Sequence, residues 1–287
     1  MEVEEILGIS AFLITMAVLV FASMSDWRKR EVPDAPWIVL GAVGLAMFVS
    51  YSVYLTGFRW EYALLAGGTV MILFDILSDR ELNPFVFYSV MAVLFIVPLY
   101  GNMSEEIFRA WASVPLCYLI YVGMYLLGII RGGADVKCLI TLSIMFPFYP
   151  HFLGLPFIAM PAGPFGQIFV FSISVLFFAA IMVVPVIIYF AARNAGKGLY
   201  SKRMFSGYMM DILKAEDSDV WPAEDIIDGV LTPIKIPKEE DMAGIYERLK
   251  EAGRTEVWVT PMIPFIVLIT AAAAAVALLG NPLFLIV

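Results

Sequence analysis

Residues 6–24 read ILGISAFLITMAVLVFASM, a run without a charged residue, and Ser25 and Asp26 follow it directly. A helix that crosses a bilayer needs roughly 20 mainly apolar residues, so this run predicts a transmembrane helix. Glu4 and Glu5, rather than a basic region, precede the run, and no cleavage site followed by a soluble chain appears after it. We therefore expect a retained helix and not a signal peptide.

The same pattern recurs along the chain, which is 61% hydrophobic and 15% charged with a mean hydropathy of +0.88. Soluble domains usually carry about a quarter charged residues, so the composition predicts a polytopic membrane protein. The predicted fold is an all-α membrane domain of about eight helices, with a small α/β subdomain before the last helix. The eight segments are 6–24, 35–55, 62–77, 84–100, 111–130, 138–159, 168–190 and 263–287.

Residues 191–262 form the one long hydrophilic segment, with ten Lys/Arg and thirteen Asp/Glu. Apolar residues from Met242 to Leu249 recur with helical spacing before Gly253, which predicts an amphipathic helix beginning near residue 238. Residues 255–260 alternate like a strand that could pair with 230–236. We predict three parts: a membrane domain of seven helices (1–190), a soluble subdomain (191–262) and a last helix (263–287). The subdomain is either a packed cap or a receiver of basic peptide through carboxylates such as Asp217, Asp219, Glu224 and Asp225.

Basic residues orient the predicted helices in the membrane. Eight helices place sixteen of the 18 Lys/Arg on one face, and leave Arg59 and Arg109 for the other. Short cytoplasmic loops are enriched in Lys and Arg, so the first face is predicted to be cytoplasmic, with both termini outside. The subdomain, Asp26 and Asp135 all fall on that face of a multi-pass cell-membrane protein.

Metal, cofactor and nucleic-acid chemistry have little support in the sequence. His151 is the only histidine, and Cys117 and Cys138 fall in or beside apolar runs without a Cys-x-x-Cys pair. We therefore expect no metal site, no cofactor and no structural disulfide. Basic residues in the hydrophilic segment are outnumbered by acidic ones, which disfavours nucleic acid as a partner.

Asp26 and Asp135 are the strongest candidates for chemistry, although they lie about 110 positions apart. Each falls where an apolar run meets a polar stretch, and two carboxylates that meet can share one proton, as in aspartyl proteases. Each also has a plainer interpretation: Asp26 as a helix-end residue beside basic neighbours, and Asp135 as a helix N-cap. In the functional interpretation Gly132 and Gly133 permit close approach, and Ala134 keeps the site open.

Asp75 is the reserve candidate, because it lies inside the third apolar run. A charge near the bilayer centre costs on the order of 2.5–3.5 kcal/mol, so such residues are functional suspects. Asp34 could cap the second helix. An ion-coupled transporter that uses Asp75 and Asp135 as proton sites is one alternative function, although symmetric halves are not evident.

The residues around both aspartates resemble a known family. The stretch DWRKREVPD, beginning at Asp26, resembles the first-aspartate motif of type IV prepilin and archaeal preflagellin peptidases. The stretch GGAD, ending at Asp135 and followed by Lys137, is similar to their Gly-x-Gly-Asp signature, with Ala134 at the second glycine position. Residues 255–265 are similar to the approach to the last helix in the archaeal branch. The family usually has one helical hairpin between the aspartates, whereas this chain has two.

The resemblance implies an aspartic endopeptidase that removes a short basic leader from archaellin or pilin-like precursors at the membrane surface. It implies catalytic roles for Asp26 and Asp135, and an active-site loop of Gly132, Gly133, Ala134 and Lys137. The bacterial branch carries Cys-x-x-Cys motifs, which this sequence lacks. We therefore predict that the chain has no methyltransferase activity and binds no zinc. A presenilin-like intramembrane protease is a second alternative, disfavoured by Ser25 where that family has Tyr.

Overall fold

The computed structural model describes residues 3–78, 82–158, 170–234, 237 and 239–285. The chain forms two compact units, one of Met1–Ala179 with Pro264–Val287 and one of Ala180–Ile263. Several predicted features lie outside the described residues: loop residues 79–81 with Arg80, the segment boundaries at 159 and 168, strand residues 235–236, helix residue 238 and the C-terminal residues 286–287.

Apolar helices dominate the first unit. Numbered in chain order within the described residues, they are α1 (Val3–Lys29), α2 (Ala35–Thr56), α3 (Trp60–Leu77), α4 (Pro84–Leu99), α5 (Glu106–Leu126), α6 (Gly133–Met145), α7 (Phe171–Gly196), which continues into the second unit, and α10 (Phe265–Leu279). Five of them, α1, α2, α3, α5 and α7, are long and apolar enough to cross a membrane by length and composition, and α4 and α10 are shorter apolar helices. A mostly helical multi-pass protein is thus supported, and the count of eight spans stays a prediction.

The predicted sixth span, 138–159, is helical only in its first part. Helix α6 begins earlier, at Gly133, and ends at Met145, and residues 146–158 are irregular. Pro147 explains this end, because a proline disfavours helical backbone at the residue before it and lacks an N–H. The irregular chain is packed against protein: the Phe157 and Ile158 N–H groups donate to carbonyls at the end of α10, at 3.1 and 2.9 Å. Non-helical backbone within a membrane domain requires such internal partners.

Two helix pairs position the residues of interest. Helix α2 packs along α6, where the Gly44 Cα approaches so closely that a side chain there would meet the Met145 backbone. Helix α1 packs along α10, and the Ser23 and Thr270 hydroxyls share a hydrogen bond of 2.7 Å between them. Small residues and hydroxyls at helix contacts are typical of membrane proteins, where close approach and polar bonds replace hydrophobic driving force.

In its described residues, the second unit contains a three-stranded and a two-stranded antiparallel sheet with two short helices. Its strands are β1 (Tyr208–Asp211), β2 (Val220–Pro222), β3 (Glu224–Ile227), β4 (Val230–Pro233) and β5 (Glu256–Pro261), and its helices are α8 (Ile212–Glu216) and α9 (Glu239–Glu251). Strand β5 lies between β1 and β2. The amphipathic helix predicted before Gly253 is confirmed as α9, which buries Ile245, Tyr246 and Leu249 against Val257 and Val259 of β5.

The predicted pairing of 230–236 with the last strand is wrong. Strand β4 pairs instead with β3, whereas β5 pairs with β1 and β2. The reason is local, because Asp228 and Gly229 both have positive φ, 52° and 76°, between β3 and β4. Two such residues form the tight turn that favours a hairpin between adjacent strands, and Asp-Gly is a preferred sequence for it.

Candidate active site

Asp26 lies in the last turn of α1, half-buried, beside the exposed Trp27. The helix ends because Arg30 adopts a left-handed conformation, with φ of 57°, and its N–H donates to the Asp26 carbonyl at 3.0 Å. Arg28 and Lys29 occupy the last turn, where positive charge favours the negative end of the helix dipole. This end of α1 therefore presents a carboxylate among cations.

The last helix supplies a contact to Asp26 that the sequence did not predict. The Ile266 N–H, in the first turn of α10, donates to Asp26 Oδ2 at 3.2 Å. The first N–H groups of a helix have no partner inside the helix and carry partial positive charge, so they stabilise an ionised carboxylate. The similarity of residues 255–265 to the archaeal branch was the only signal that this region belongs near the site.

Asp135 lies in the first turn of α6, but it is not the N-cap that its plainer interpretation suggested. Gly132 occupies the N-cap position, with extended backbone and no capping bond from a side chain. Within the described part of the chain, the Asp135 carboxylate accepts no hydrogen bond. Asp135 is half-buried and points back over the N-cap residue. Its carboxylate is thus available for chemistry rather than committed to the helix end.

The two glycines before Asp135 differ in their surroundings. An ideal Cβ placed on Gly132 would lie 2.9 Å from Asp135 Cγ, so the carboxylate fills the space that a side chain would need. A Cβ on Gly133 would meet nothing within 4 Å, and this residue is exposed. Gly132 is therefore required by the position of the aspartate, and Gly133 leaves open space beside it. Ala134 is half-buried in the same turn.

The structure brings Asp26 and Asp135 to the same end of the helical unit. Four helices, α2 to α5, separate them in sequence, and α1 contacts α6. Asp135 precedes the apolar part of α6, outside the helices long enough to span a membrane. Burial, with a smaller contribution from the nearby charge of Asp26, raises the pKa of the Asp135 carboxyl to about 7. Two carboxyl groups that influence each other in this way favour a state with one proton.

An ion pair links the two motifs. Lys137 Nζ donates to Asp34 Oδ1 at 2.5 Å, joining the first turn of α6 to the start of α2. Asp34 does stand at the N-cap position of α2, as predicted, but no capping bond from its side chain is formed. Both side chains are partly exposed, 27% for Lys137 and 43% for Asp34, so the pair orients the segments more than it stabilises them.

Asp75 occupies a separate cluster. Its Oδ1 accepts the Tyr88 hydroxyl at 3.1 Å and its Oδ2 accepts the Tyr118 hydroxyl at 2.5 Å. These tyrosines belong to α4 and α5, and the charge that acts on Asp135 comes from Asp26 rather than Asp75. The structure thus joins the first-ranked pair and places the reserve candidate elsewhere.

Two of the subdomain carboxylates suggested as receivers of basic peptide are already paired. Glu224 is buried and accepts from Arg203 at 2.5 Å, and Asp225 accepts from Arg248 at 3.0 and 2.6 Å. Buried carboxylates with internal cations hold the β3–β4 hairpin to its neighbours. Asp217 and Asp219 are exposed. Among the described residues, no group of three or more His, Cys, Asp or Glu could hold a metal ion.

Comparison with known proteins gives several relatives of similar length. The chain is 26% identical to an uncharacterized protein of Methanocaldococcus jannaschii, over 90% of this chain and 88% of that one. It is 25% identical to the preflagellin peptidase of Methanococcus voltae, over 96% of this chain and 98% of the relative. It is also 25% identical to the preflagellin peptidase of Methanococcus maripaludis, over 94% and 95% of the two chains.

No protein-family model and no solved structure matches the chain. The named relatives nevertheless extend over nearly its whole length. This agrees with the resemblance that the two motifs carry. The relatives support the preflagellin peptidase family as the family of this chain.

Proposed function

We propose that this chain is a membrane-embedded aspartic endopeptidase that removes the short leader from archaellin or pilin-like precursors at the cytoplasmic membrane face. The observation that carries the proposal is the proximity of Asp26 and Asp135 at one end of the helical unit. Four helices separate these two residues in the sequence. The names of the relatives support leader removal. The basic residues beside Asp26 support the cytoplasmic face.

The surroundings of the two carboxylates support different roles for them in the proposed reaction. Asp26, with a helix N–H on Oδ2, is the ionised partner and accepts a proton from the attacking water. Asp135, in the less polar position, is the protonated partner and donates its hydrogen bond to the scissile carbonyl oxygen. Water adds to the carbonyl carbon, and the tetrahedral intermediate then breaks its C–N bond as a proton passes to the leaving amine. No covalent enzyme intermediate forms.

The substrate geometry follows from the position of the pair at the end of the helices. A precursor whose apolar helix lies in the bilayer presents the residues just outside that helix at the depth of Asp26 and Asp135. The open space at Gly133 leaves room for an extended peptide beside the carboxylates. Cleavage is therefore expected at the boundary between leader and apolar helix, and the extra helical hairpin is expected to affect the choice of precursor.

The direct test is incubation of membranes containing the full chain with a panel of archaellin and pilin-like precursors, with the cut position read by mass spectrometry. A cut at the leader boundary supports the proposal. Cuts only inside the apolar helix would favour the presenilin-like alternative. Proton-dependent uptake into liposomes, with no cleavage of any precursor, would favour the transporter.

The pH dependence of cleavage follows from the role of Asp135. Its raised pKa, about 7, keeps it protonated below neutrality, and it loses this proton as pH rises through that value. We therefore expect kcat/KM to fall about tenfold for each unit of pH above about 8, once the acid form is the minority. Steady-state cleavage between pH 5 and 9 measures this. A rate that stays flat up to pH 9 would contradict protonated Asp135.

The contact between α10 and Asp26 is expected to matter for rate. Ile266→Pro removes the donor N–H at a position in the first helical turn where no internal helix bond depends on it. We expect cleavage to fall roughly tenfold or more, about 1.4 kcal/mol, because the ionised state of Asp26 loses a hydrogen bond. Ile266→Val keeps the N–H and is the matched control, with a loss below about threefold. Equal losses in both variants would assign the residue a packing role only.

The Asp34–Lys137 ion pair is expected to orient the two motifs. Lys137→Met keeps the length of the side chain but removes its charge, and we expect cleavage to fall about three- to tenfold, as suits a partly exposed pair worth about 1 kcal/mol. The exchange Asp34→Lys with Lys137→Asp is expected to recover part of the rate. Cleavage assays on the single and double variants test the role of the ion pair. If the double variant cleaves no faster than the slower single variant, the lost ion pair does not explain the loss of cleavage.

A further inference from the structure

Asp75 is a carboxylate inside an apolar helix that the proposed chemistry does not use. Helix α3 is one of the helices long and apolar enough to cross a membrane, and Asp75 lies near its end. Both carboxylate oxygens accept tyrosine hydroxyls, from Tyr88 and from Tyr118. A carboxylate has about four lone-pair sites, so the two hydroxyls leave room for a further hydrogen-bond donor at Asp75.

A cavity of about 380 Å³ opens against this carboxylate. The rings of Phe74, Phe87 and Tyr88 line it, with Phe87 packed edge-on against Tyr88 at 5.4 Å between centroids and against Phe74 at 6.1 Å. Ser78 and Leu82 complete the side toward the end of α3. A carboxylate surrounded by aromatic rings has the composition of a site for an organic cation, since the faces of such rings attract positive charge.

The charge balance points the same way. Among the residues that the structure describes, no Lys or Arg lines the cavity. A carboxylate in apolar surroundings is a favourable partner for a cation, and both hydroxyls that bond to Asp75 are neutral. Tyr118 is buried, whereas Tyr88 lines the cavity and is 45% exposed, so a ligand reaches Asp75 from the Tyr88 side. A compact cation with an apolar stem can bind the carboxylate through its charge and pack its stem against the aromatic rings.

We propose that this cavity binds a primary alkylammonium group, with its nitrogen at the Asp75 carboxylate and its alkyl stem against the Phe74, Phe87 and Tyr88 rings that line it. The group is either a free alkylamine or the side chain of a peptide lysine, which share this chemistry. The site lies apart from the Asp26–Asp135 pair and does not depend on peptidase activity. It gives the helical pair α3–α4 a binding role of its own.

The test measures thermal unfolding of the purified full chain in nanodiscs against increasing n-butylammonium chloride. Binding to the folded state raises the unfolding temperature in a saturable way. n-Butanol is the neutral control of the same shape, and sodium chloride is the control for ionic strength. N-acetyl-lysine amide, used in parallel, distinguishes the two sources, since tighter binding of this probe favours peptide lysine and tighter binding of butylammonium favours a free amine.

Asp75→Asn is expected to weaken n-butylammonium at least tenfold, and Tyr88→Phe, which keeps the ring, no more than about threefold. Glu247→Gln, at an exposed carboxylate of α9 in the other unit, is the matched charge control and is expected to bind as the unaltered chain does. Equal stabilisation by butanol and butylammonium in the unaltered chain would overturn the proposal even if Asp75→Asn fails to fold.

Discussion

We expect Asp26→Asn and Asp135→Asn each to reduce the rate of leader cleavage by at least a thousandfold. Both variants are expected to fold and to insert in the membrane. Asparagine has the shape of aspartate but can neither accept the proton of water nor supply an acidic one at neutral pH. A thousandfold loss corresponds to about 4 kcal/mol of transition-state stabilisation, which fits the removal of one member of a catalytic pair. Single-turnover cleavage of an archaellin precursor, analysed by mass, measures it.

The control for these variants is Glu106→Gln, which makes the same change from acid to amide at an exposed position in the first turn of α5. It is expected to cleave within about twofold of the unaltered chain. The double variant Asp26→Asn with Asp135→Asn is expected to be no slower than either single one, because residues that act as one unit lose their function together. Cleavage retained above a tenth of the normal rate in either single variant would remove the pair from the mechanism.

Gly132→Ala is expected to cause the next largest loss, a hundredfold or more. The new methyl group would occupy the space of the Asp135 carboxylate. The Asp135 side chain must then turn away from the position in which the charge of Asp26 acts on it. The backbone at Gly132 has ordinary extended angles, φ −78° and ψ 120°, so alanine adds no backbone strain there. Loss of activity would thus report displacement of the carboxylate.

Gly133→Ala is the matched comparison, one residue later in the same turn. Its Cβ would meet nothing within 4 Å, and alanine favours the helix that begins there. We expect a loss of no more than about fivefold, and a thermal stability at least equal to that of the unaltered chain. If Gly133→Ala were the more damaging variant, the open space at Gly133 would be the essential feature and the close approach at Gly132 would not.

Helix content and helix order followed from the sequence because a bilayer imposes a length on apolar runs. Segments 6–24, 35–55, 62–77 and 84–100 correspond closely to α1 through α4. The failures arose where local chemistry opposes the periodic pattern. Pro147 shortens the sixth helix, and the Asp228-Gly229 turn pairs β3 with β4 instead of β4 with β5. Both features are visible as residues, but their structural effect depends on which neighbours are available.

The candidate pair could be predicted from the amino-acid sequence, because both carboxylates stand at the ends of apolar runs and their flanking motifs resemble those of one family. The sequence could not determine that Asp135 leaves the helix N-cap to Gly132, that Ile266 donates to Asp26, or that Asp75 lies between two tyrosines. The Tyr118–Asp75 and Ile266–Asp26 hydrogen bonds join residues that are 43 and 240 positions apart in the sequence. Only the contacts at Gly132 and Tyr88 are closer in sequence. Sequence patterns encode which face of a helix is apolar, whereas the packing of helices decides which polar groups come into contact.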